Sequence, residues 1–132
     1  MKTRDISVRT GERYEFVSIT DEVRRAVREA GVEEGVCVVF STHTTAAVTV
    51  NEDYDRDVPR DLAVACKALM GLLDVRFDHA EGNSDSHFLT SLFGQSQHLL
   101  VRGGELELGR WQGVFLAEFD GPRNRTVRVA VY

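Results

Sequence analysis

The sequence predicts an α+β fold with a mainly antiparallel, sandwich-like β-sheet and two to three helices. Three observations predict this class. Strand-like runs open and close the chain, helix-like periodicity lies between them, and no linker or internal repeat divides the 132 residues. A chain of this length is close to the usual size of one domain. We therefore expect a single domain across residues 1–132.

The composition excludes several classes of protein. The chain has 16 Lys and Arg against 21 Asp and Glu, a net charge of −5, whereas binding to nucleic-acid backbones needs a concentrated positive field. No apolar run is long enough to span a bilayer, and the opening residues form no apolar signal segment. Cys37 and Cys66 stand apart in apolar surroundings, which is typical of buried, reduced thiols. We expect a cytoplasmic protein with no nucleic-acid and no membrane partner.

The first part of the chain predicts a hairpin followed by a helix. Apolar and polar residues alternate over 4–10 and 13–19, and a turn at 11–12 would join the two strands. Thr20 then predicts an N-cap, apolar residues recur at helical spacing, and Gly31 predicts the end of the helix.

A β-branched run from Gly35 predicts a central strand that bends near Ser41. In its second half, a period of two separates an apolar face from a polar one. The apolar face holds Ala46, Val48 and Val50, and the polar face holds His43, Thr45 and Thr49. A polar loop containing Glu52 follows, and a helix is predicted from near Pro59.

The rest of the chain predicts a short helix and three strands. A loop from His79 leads into a helix over 85–93, with an N-cap at Ser84 or Asp85. Four apolar residues of this helix are expected to face inward: Phe88, Leu89, Leu92 and Phe93. The strand-like runs are 97–102, 112–119 and 125–132.

Three histidines lie in polar, turn-rich settings. His43 stands among threonines, while His79 and His87 enclose a stretch with Glu81, Asn83 and Asp85. Imidazoles and carboxylates gathered in loops over a sheet suit a Zn-, Mn- or Mg-type site. The spacing between His79 and His87 matches no standard zinc pattern, and by spacing alone histidines that cap turns and helix ends are the favoured interpretation.

A run of hydroxyl side chains offers a second kind of chemistry. Thr44 and Thr45 could hydrogen-bond a phosphate, and Arg123, after a Gly-Pro pair, could bind it with two parallel hydrogen bonds. The alternative is that the threonines are simply good strand residues and that Arg123 lies on a solvated turn.

Several longer motifs occur together in one order. They are STHTTAAVTVNE at 41–52, HAEGNSDSH at 79–87, and a stretch from Gly94 to Arg123 that contains LGRWQ and ends in EFDGPR. This combination resembles the YjbQ-like family over essentially the whole chain. The resemblance implies a small α+β protein that forms homotrimers with a polar cluster in a cleft, and a secondary thiamine phosphate synthase activity in some members.

The resemblance also points to individual residues, and it shifts the balance on the histidines toward a functional site. In this interpretation Glu52, Asp85 and Arg123 are catalytic. The substrate-binding residues are Thr44, Thr45, Asn51, Asn83, Gln112 and Arg123, and the metal ligands are His43, His79, His87 and Glu81. The expected cofactor is a divalent ion, zinc or magnesium, and the expected partner is a small phosphorylated substrate.

Three functions follow as hypotheses. The first is a thiamine phosphate synthase that joins a pyrimidine diphosphate to a thiazole phosphate and releases pyrophosphate. The second is a metal- or small-ligand-binding trimer with incidental activity, and the third is a metal-assisted phosphate ester hydrolase. Leu89 stands where a lysine is frequent in the family, which removes a phosphate contact and weakens the first hypothesis.

Overall fold

The computed structural model describes residues 1–132 as eight strands and three helices. The strands are β1 (Lys2–Arg9), β2 (Glu15–Ser18), β3 (Glu34–Ser41), β4 (Ala46–Glu52), β5 (Ser96–Arg102), β6 (Glu105–Leu106), β7 (Gln112–Glu118) and β8 (Asn124–Val131). The helices are α1 (Thr20–Ala30), α2 (Asp57–Leu72) and α3 (Ser84–Phe93). The predicted α+β class is confirmed. None of the three helices has the length and apolar character needed to cross a bilayer.

The strands form two antiparallel sheets. The larger sheet has the order β1-β8-β3-β5-β6, and the smaller has the order β2-β7-β4. In the larger sheet β8 pairs with β1 on one side and with β3 on the other, while β7 is the middle strand of the smaller sheet. β7 and β8 are consecutive in the chain but belong to different sheets.

The larger hydrophobic core lies between the two sheets and α1. Ala46 and Val48 of β4 belong to it and Val50 packs against it, as the period of two predicts. Val23 and Val27 of α1 are fully buried in the same core. Because α1 contacts strands of both sheets, its apolar face holds the two sheets together.

A second core lies on the other face of the smaller sheet, under α2 and α3. It includes Phe115 of β7, Cys66 of α2 and Leu89 of α3. Leu89 is fully buried, but Phe88 and Leu92 are exposed, so the expectation that four residues of α3 face inward is wrong for these two. A ten-residue helix lying on a sheet has only one face to bury.

Two local predictions are wrong because distant partners compete successfully for the same groups. β1 and β2 form no hairpin: Ile6 pairs with Val127 of β8, and β2 pairs with β7 in the other sheet. Thr20 lies inside α1 and does not cap it. Its hydroxyl donates to Asp53 at 2.6 Å and accepts from the amide of Val114 at 2.9 Å.

Three of the connections between the two sheets meet at one end of the fold. These are 10–14 between β1 and β2, 42–45 between β3 and β4, and 119–123 between β7 and β8. The second connection divides the predicted bent strand into two strands. Backbone hydrogen bonds join the connections, from Thr10 to Arg123 at 2.9 Å and from Phe119 to Thr45 at 3.2 Å. The order of the strands in the two sheets therefore brings three distant segments together.

Candidate functional site

A buried ion pair between Arg125 and Glu118 lies where the three connections meet. The side chain of Arg125 is 4% exposed and that of Glu118 is 0% exposed. Arg125 Nε donates to Glu118 Oε1 at 2.8 Å, and Nη2 donates to the other carboxylate oxygen. Thr10 donates to the same carboxylate at 2.7 Å, and Arg125 Nη2 donates to Thr45 Oγ1 at 2.8 Å. The pair thus joins β7 and β8 to the other two connections.

The hydrogen bonds of Glu118 decide its charge. Burial alone would raise the pKa of this carboxyl, because low polarity disfavours the charged form. Hydrogen bonds from Arg125, Thr10 and the Asp120 amide outweigh burial, and the pKa of Glu118 lies below its ordinary value. Glu118 is therefore ionised in the folded protein at neutral pH.

Above this pair lies a cavity of about 300 Å³ whose lining is entirely polar. It is lined by Thr44, Thr45, His79, Glu81, Asn83, His87, Asp120, Arg123 and Arg125. The predicted site residues among these come from the THTT motif, the motif at 79–87 that leads into α3, and the β7–β8 turn. The structure therefore brings together residues from all three family motifs.

Asp120 connects two walls of the cavity. Its Oδ2 accepts from Asn83 Nδ2 at 2.9 Å and from Arg123 Nη2 at 3.0 Å. Arg123 Nε also donates to the Asp120 carbonyl at 2.8 Å. These bonds occupy Nε and Nη2 of Arg123 and leave its Nη1 without a protein acceptor.

His79 and His87 face each other across one side of the cavity. Their ring centroids are 5.4 Å apart with an interplanar angle of 84°. His79 Nε2 lies 3.9 Å from Glu81, beyond hydrogen-bond distance. Neither ring forms a hydrogen bond to the protein, so both imidazoles are free to donate to a ligand.

His43 lies outside this cavity and has a structural role. Its Nε2 accepts a hydrogen bond from the amide of Thr126 at 2.9 Å, which places the proton on Nδ1 in the neutral ring. Burial, followed by the charge of Arg125, lowers the pKa of His43 below its ordinary value. His43, which was predicted to be a metal ligand, is therefore a neutral imidazole that binds the backbone of β8.

Asp85 also lies outside the cavity lining. Its carboxylate accepts two hydrogen bonds from Arg13 Nη2, at 3.0 and 3.1 Å, and a further one from the hydroxyl of Tyr14. The lone pairs that the predicted catalytic role would use are thus already engaged by the protein.

The remaining predicted residues lie at the opposite end of the smaller sheet. Ala46 pairs with Glu118, whereas Glu52 pairs with Gln112 at the far end of the same two strands. Six residues of antiparallel strand span about 20 Å, so Glu52 and Gln112, like the adjacent Asn51, do not share a ligand with the cavity in one chain. The predicted single site is divided into two.

At this opposite end of the smaller sheet lies an open aromatic cleft around Trp111. Tyr54 and Trp111 have ring centroids 4.9 Å apart, and the guanidinium of Arg110 lies 4.6 Å from the Trp111 ring centroid. Glu52 lines the same cleft. Gln112 Oε1 accepts from the amide of Gly109 at 2.8 Å, which gives this predicted binding residue a structural role in the turn.

The metal centre predicted from His43, His79, His87 and Glu81 is wrong. No group of three His, Cys, Asp or Glu side chains is arranged to hold a metal ion. His43 bonds to β8 and lies outside the cavity that the other three line. Zinc or magnesium as a cofactor remains a prediction. The chain offers no group of three such side chains that would hold the ion.

Arg125 is the central residue that the predicted site omits, although its sequence position contains a signal. In β8 the inward positions alternate through Val127, Val129 and Val131, and Arg125 continues the same series. An arginine at an inward position needs a buried acidic partner, which a strand pattern can indicate but cannot identify.

Replacing Glu118 tests the importance of the buried pair. We expect Glu118→Gln to lower the free energy of unfolding by about 3–5 kcal/mol, because it leaves the buried Arg125 charge unpaired. The matched control is Glu105→Gln, which removes an exposed partner of Arg28 and is expected to cost far less stability, because solvent screens an exposed ion pair. Urea denaturation measures both. Equal losses in the two variants would contradict the role given to the pair.

The lowered pKa of His43 predicts a pH dependence of stability. Below pH 6.5 the unfolded chain binds a proton that folded His43 does not take up, so the free energy of unfolding falls as pH decreases through this window. The stabilising contribution of neutral His43 is fully present above pH 6.5, the ordinary pKa that the imidazole has in the unfolded chain. We expect His43→Gln to reduce this slope in urea denaturation between pH 5 and 7. His98→Gln, at an exposed position of β5, is the control, and this variant should keep the pH dependence of the parent.

The chain matches the family model described as UPF0047 protein YjbQ-like over residues 4–132. A UPF0047 protein of Methanocaldococcus jannaschii is 41% identical over 124 residues, which cover 94% of this chain and 89% of the relative. The UPF0047 protein YugU of Bacillus subtilis is 38% identical and covers 93% of each chain.

Solved structures agree with these sequence relatives. A YjbQ/UPF0047-family protein from Clostridium acetobutylicum has a TM-score of 0.92 and 43% identity, and the match covers 98% of this chain and 99% of the other. A YbjQ-like protein of unknown function from Sulfolobus solfataricus has a TM-score of 0.91 and 32% identity, with 98% and 95% covered.

The prediction of a thiamine phosphate synthase is wrong. The sequence relatives are described only as UPF0047 proteins, and the Sulfolobus structure is one of unknown function. Thiamine phosphate synthases form a different, TIM-barrel family, whereas both sheets of this chain are antiparallel. The resemblance to the family is confirmed. With a family model matched over nearly its whole length, the chain belongs to the YjbQ-like UPF0047 family.

Proposed function

We propose that this chain binds a small molecule carrying a phosphate group in the polar cavity above the Arg125–Glu118 pair. The observation that carries the proposal is the arrangement of the two arginines. Arg123 and Arg125 each use Nε and Nη2 within the protein and have no protein acceptor for Nη1. Each Nη1 carries two N–H donors, and phosphate oxygens are strong acceptors for them.

The protein holds both guanidinium groups in place before a ligand binds. Arg125 is fixed by Glu118 and Thr45, and Arg123 is fixed by Asp120. A donor that is already oriented loses little side-chain freedom on binding. The bonds to carboxylates also reduce the net positive charge, so the proposed recognition depends on directed hydrogen bonds as well as on charge.

Other donors of the cavity support the same ligand chemistry. His79 and His87 have no hydrogen bond to the protein, and the ring N–H of an imidazole is a hydrogen-bond donor. His87 lies in the first turn of α3, where the helix dipole favours an anion. A cavity of about 300 Å³ suits a small ligand.

We propose in addition that the chain forms a homotrimer, as the family resemblance implies. Large apolar side chains are exposed on α2, on α3 and on the segment between them. They include Leu72 at 81% exposure and Leu92 at 60%, together with Val64, Leu69, Val75, Phe77 and Phe88. Exposed apolar surface of this kind is typical of subunit interfaces. The apolar strand β7, by contrast, is buried within one chain.

A cytoplasmic location is also a proposal. Cys37 and Cys66 are both buried and unpaired, and burial raises the pKa of the Cys37 thiol to about 11. Unpaired cysteines are usual in reducing compartments, which supports this location.

Titration with inorganic phosphate tests the binding proposal. We expect amide and imidazole NMR signals of the cavity to shift in a saturable way. Arg123→Ala should weaken affinity by about tenfold, or ~1.4 kcal/mol, because charge-assisted hydrogen bonds are lost. The matched control is Arg60→Ala, which removes an arginine paired with an aspartate three residues earlier on α2. Unchanged affinity in Arg123→Ala, or shifts outside the cavity, would contradict the proposal.

Light scattering tests the trimer. At micromolar concentration the parent is expected to show three times the mass of one chain. Leu72→Asp combined with Leu92→Asp should reduce this mass, because charges at a buried interface disfavour association. Leu100→Asp, at an exposed position of β5 in the other sheet, is the control. A parent mass of one chain would rule the trimer out.

A further inference from the structure

Arg13 connects two carboxylates, Asp120 in the lining of the cavity and Asp85 outside it. It belongs to the connection between β1 and β2 and does not line the cavity. Its Nη2 donates to both oxygens of Asp85, and its Nη1 lies 3.8 Å from Asp120 Oδ1. Asp85 is in the first turn of α3, and Asp120 is in the β7–β8 turn. One guanidinium therefore spans the two elements that carry the histidine and arginine donors.

We propose that Arg13 is a positioning residue for the cavity: it holds the first turn of α3, and with it His87, against the turn that carries Arg123. This inference rests on the proposed phosphate-binding function and adds a residue to it that no motif of the sequence analysis contains. Arg13 acts through Asp85 and Asp120 and makes no contact with the ligand.

The surroundings of Asp85 show that the connection is held on several sides. Its side chain is only 20% exposed, and that of Asp120 is 10% exposed, so both carboxylates interact with Arg13 in a partly desolvated environment. Burial would raise the pKa of Asp85, but hydrogen bonds from Tyr14 and Arg13 outweigh it and lower the pKa. The ring of Tyr14 packs edge-on against Phe119 at 6.0 Å between centroids. Asp85 is therefore an ionised anchor.

The position of the Arg13 main chain strengthens this connection. The amide of Gly121 donates to the Arg13 carbonyl at 3.1 Å, so the same residue contacts the β7–β8 turn through its backbone. α3 also contacts the β7–β8 turn directly, through a hydrogen bond from Ser86 Oγ to the Phe119 carbonyl at 2.6 Å. The segment from 78 to 82 carries His79 but has no side-chain hydrogen bond to the sheets, so α3 provides the fixed side of the histidine pair.

The pairing geometry also explains why a lysine would not replace Arg13. The guanidinium hydrogen-bonds Asp85 through one nitrogen and lies at an ion-pair distance of 3.8 Å from Asp120 through the other, whereas an ammonium is a single point charge on a flexible stem. Loss of the connection would allow the first turn of α3 to move relative to Arg123. Ligand affinity would then fall although every ligand-contacting side chain remained present.

Two measurements on the full chain test the proposal. The first is the NOE between ring protons of His79 and His87, which needs no ligand, and the second is titration with inorganic phosphate. We expect Arg13→Ala to abolish the NOE and to weaken phosphate binding by about tenfold. Arg13→Lys should retain only part of the NOE intensity and only part of the phosphate affinity. Arg28→Ala, which removes a comparable but exposed pair with Glu105, should change neither.

A second variant keeps the test decisive if Arg13→Ala fails to fold. Burial and the Asp85 carboxylate raise the pKa of Tyr14 to about 12, so Asp85→Asn should lower the Tyr14 pKa in an ultraviolet titration and weaken the ring NOE. An NOE unchanged in Arg13→Ala or Asp85→Asn, or absent from the parent, would overturn the positioning role. If the parent keeps its NOE but binds no phosphate, the proposed function fails while the positioning role is still decided by the NOE.

Discussion

The buried ion pair between Arg125 and Glu118 is the constraint on which the rest of the site depends. Two charges removed from water are costly unless nearly every donor and acceptor is satisfied. Here the partners are Thr10, Thr45 and the Asp120 amide, each from a connection between the sheets. Moving any connection would leave a buried charge short of a hydrogen bond. The pair therefore holds these three connections in one arrangement.

This arrangement determines what the cavity can offer to a ligand. Its arginines are held by carboxylates, so their remaining N–H donors point from fixed positions, while the two histidines contribute donors without protein partners. The carboxylates that hold the arginines also limit the net charge of the site. Under the proposed function, such a cavity would discriminate by geometry more than by a general attraction for anions. The engaged Asp85 belongs to the support of this cavity and not to its lining.

The division of the predicted site follows from the pairing of β4 with β7. Residues of one motif that are neighbours in sequence are spread along a strand, with about 3.4 Å for each residue. Thr45 thus lies beside the buried pair, whereas Glu52 lies beside Trp111 at the other end. Co-occurrence of residues in one sequence motif does not show that they contact the same ligand.

The sequence by itself determined the α+β class, the apolar face of β4, the amphipathic α1 and the family, because periodicity and motifs are local properties of the chain. Only the tertiary structure decided that β1 and β2 pair with different sheets, that His43 binds the β8 backbone and that Asp85 is held by Arg13 and Tyr14. These outcomes depend on which distant groups compete for the same hydrogen bonds. Burial makes an unpaired polar group costly, so long-range pairing, which local patterns do not encode, selects the final partners.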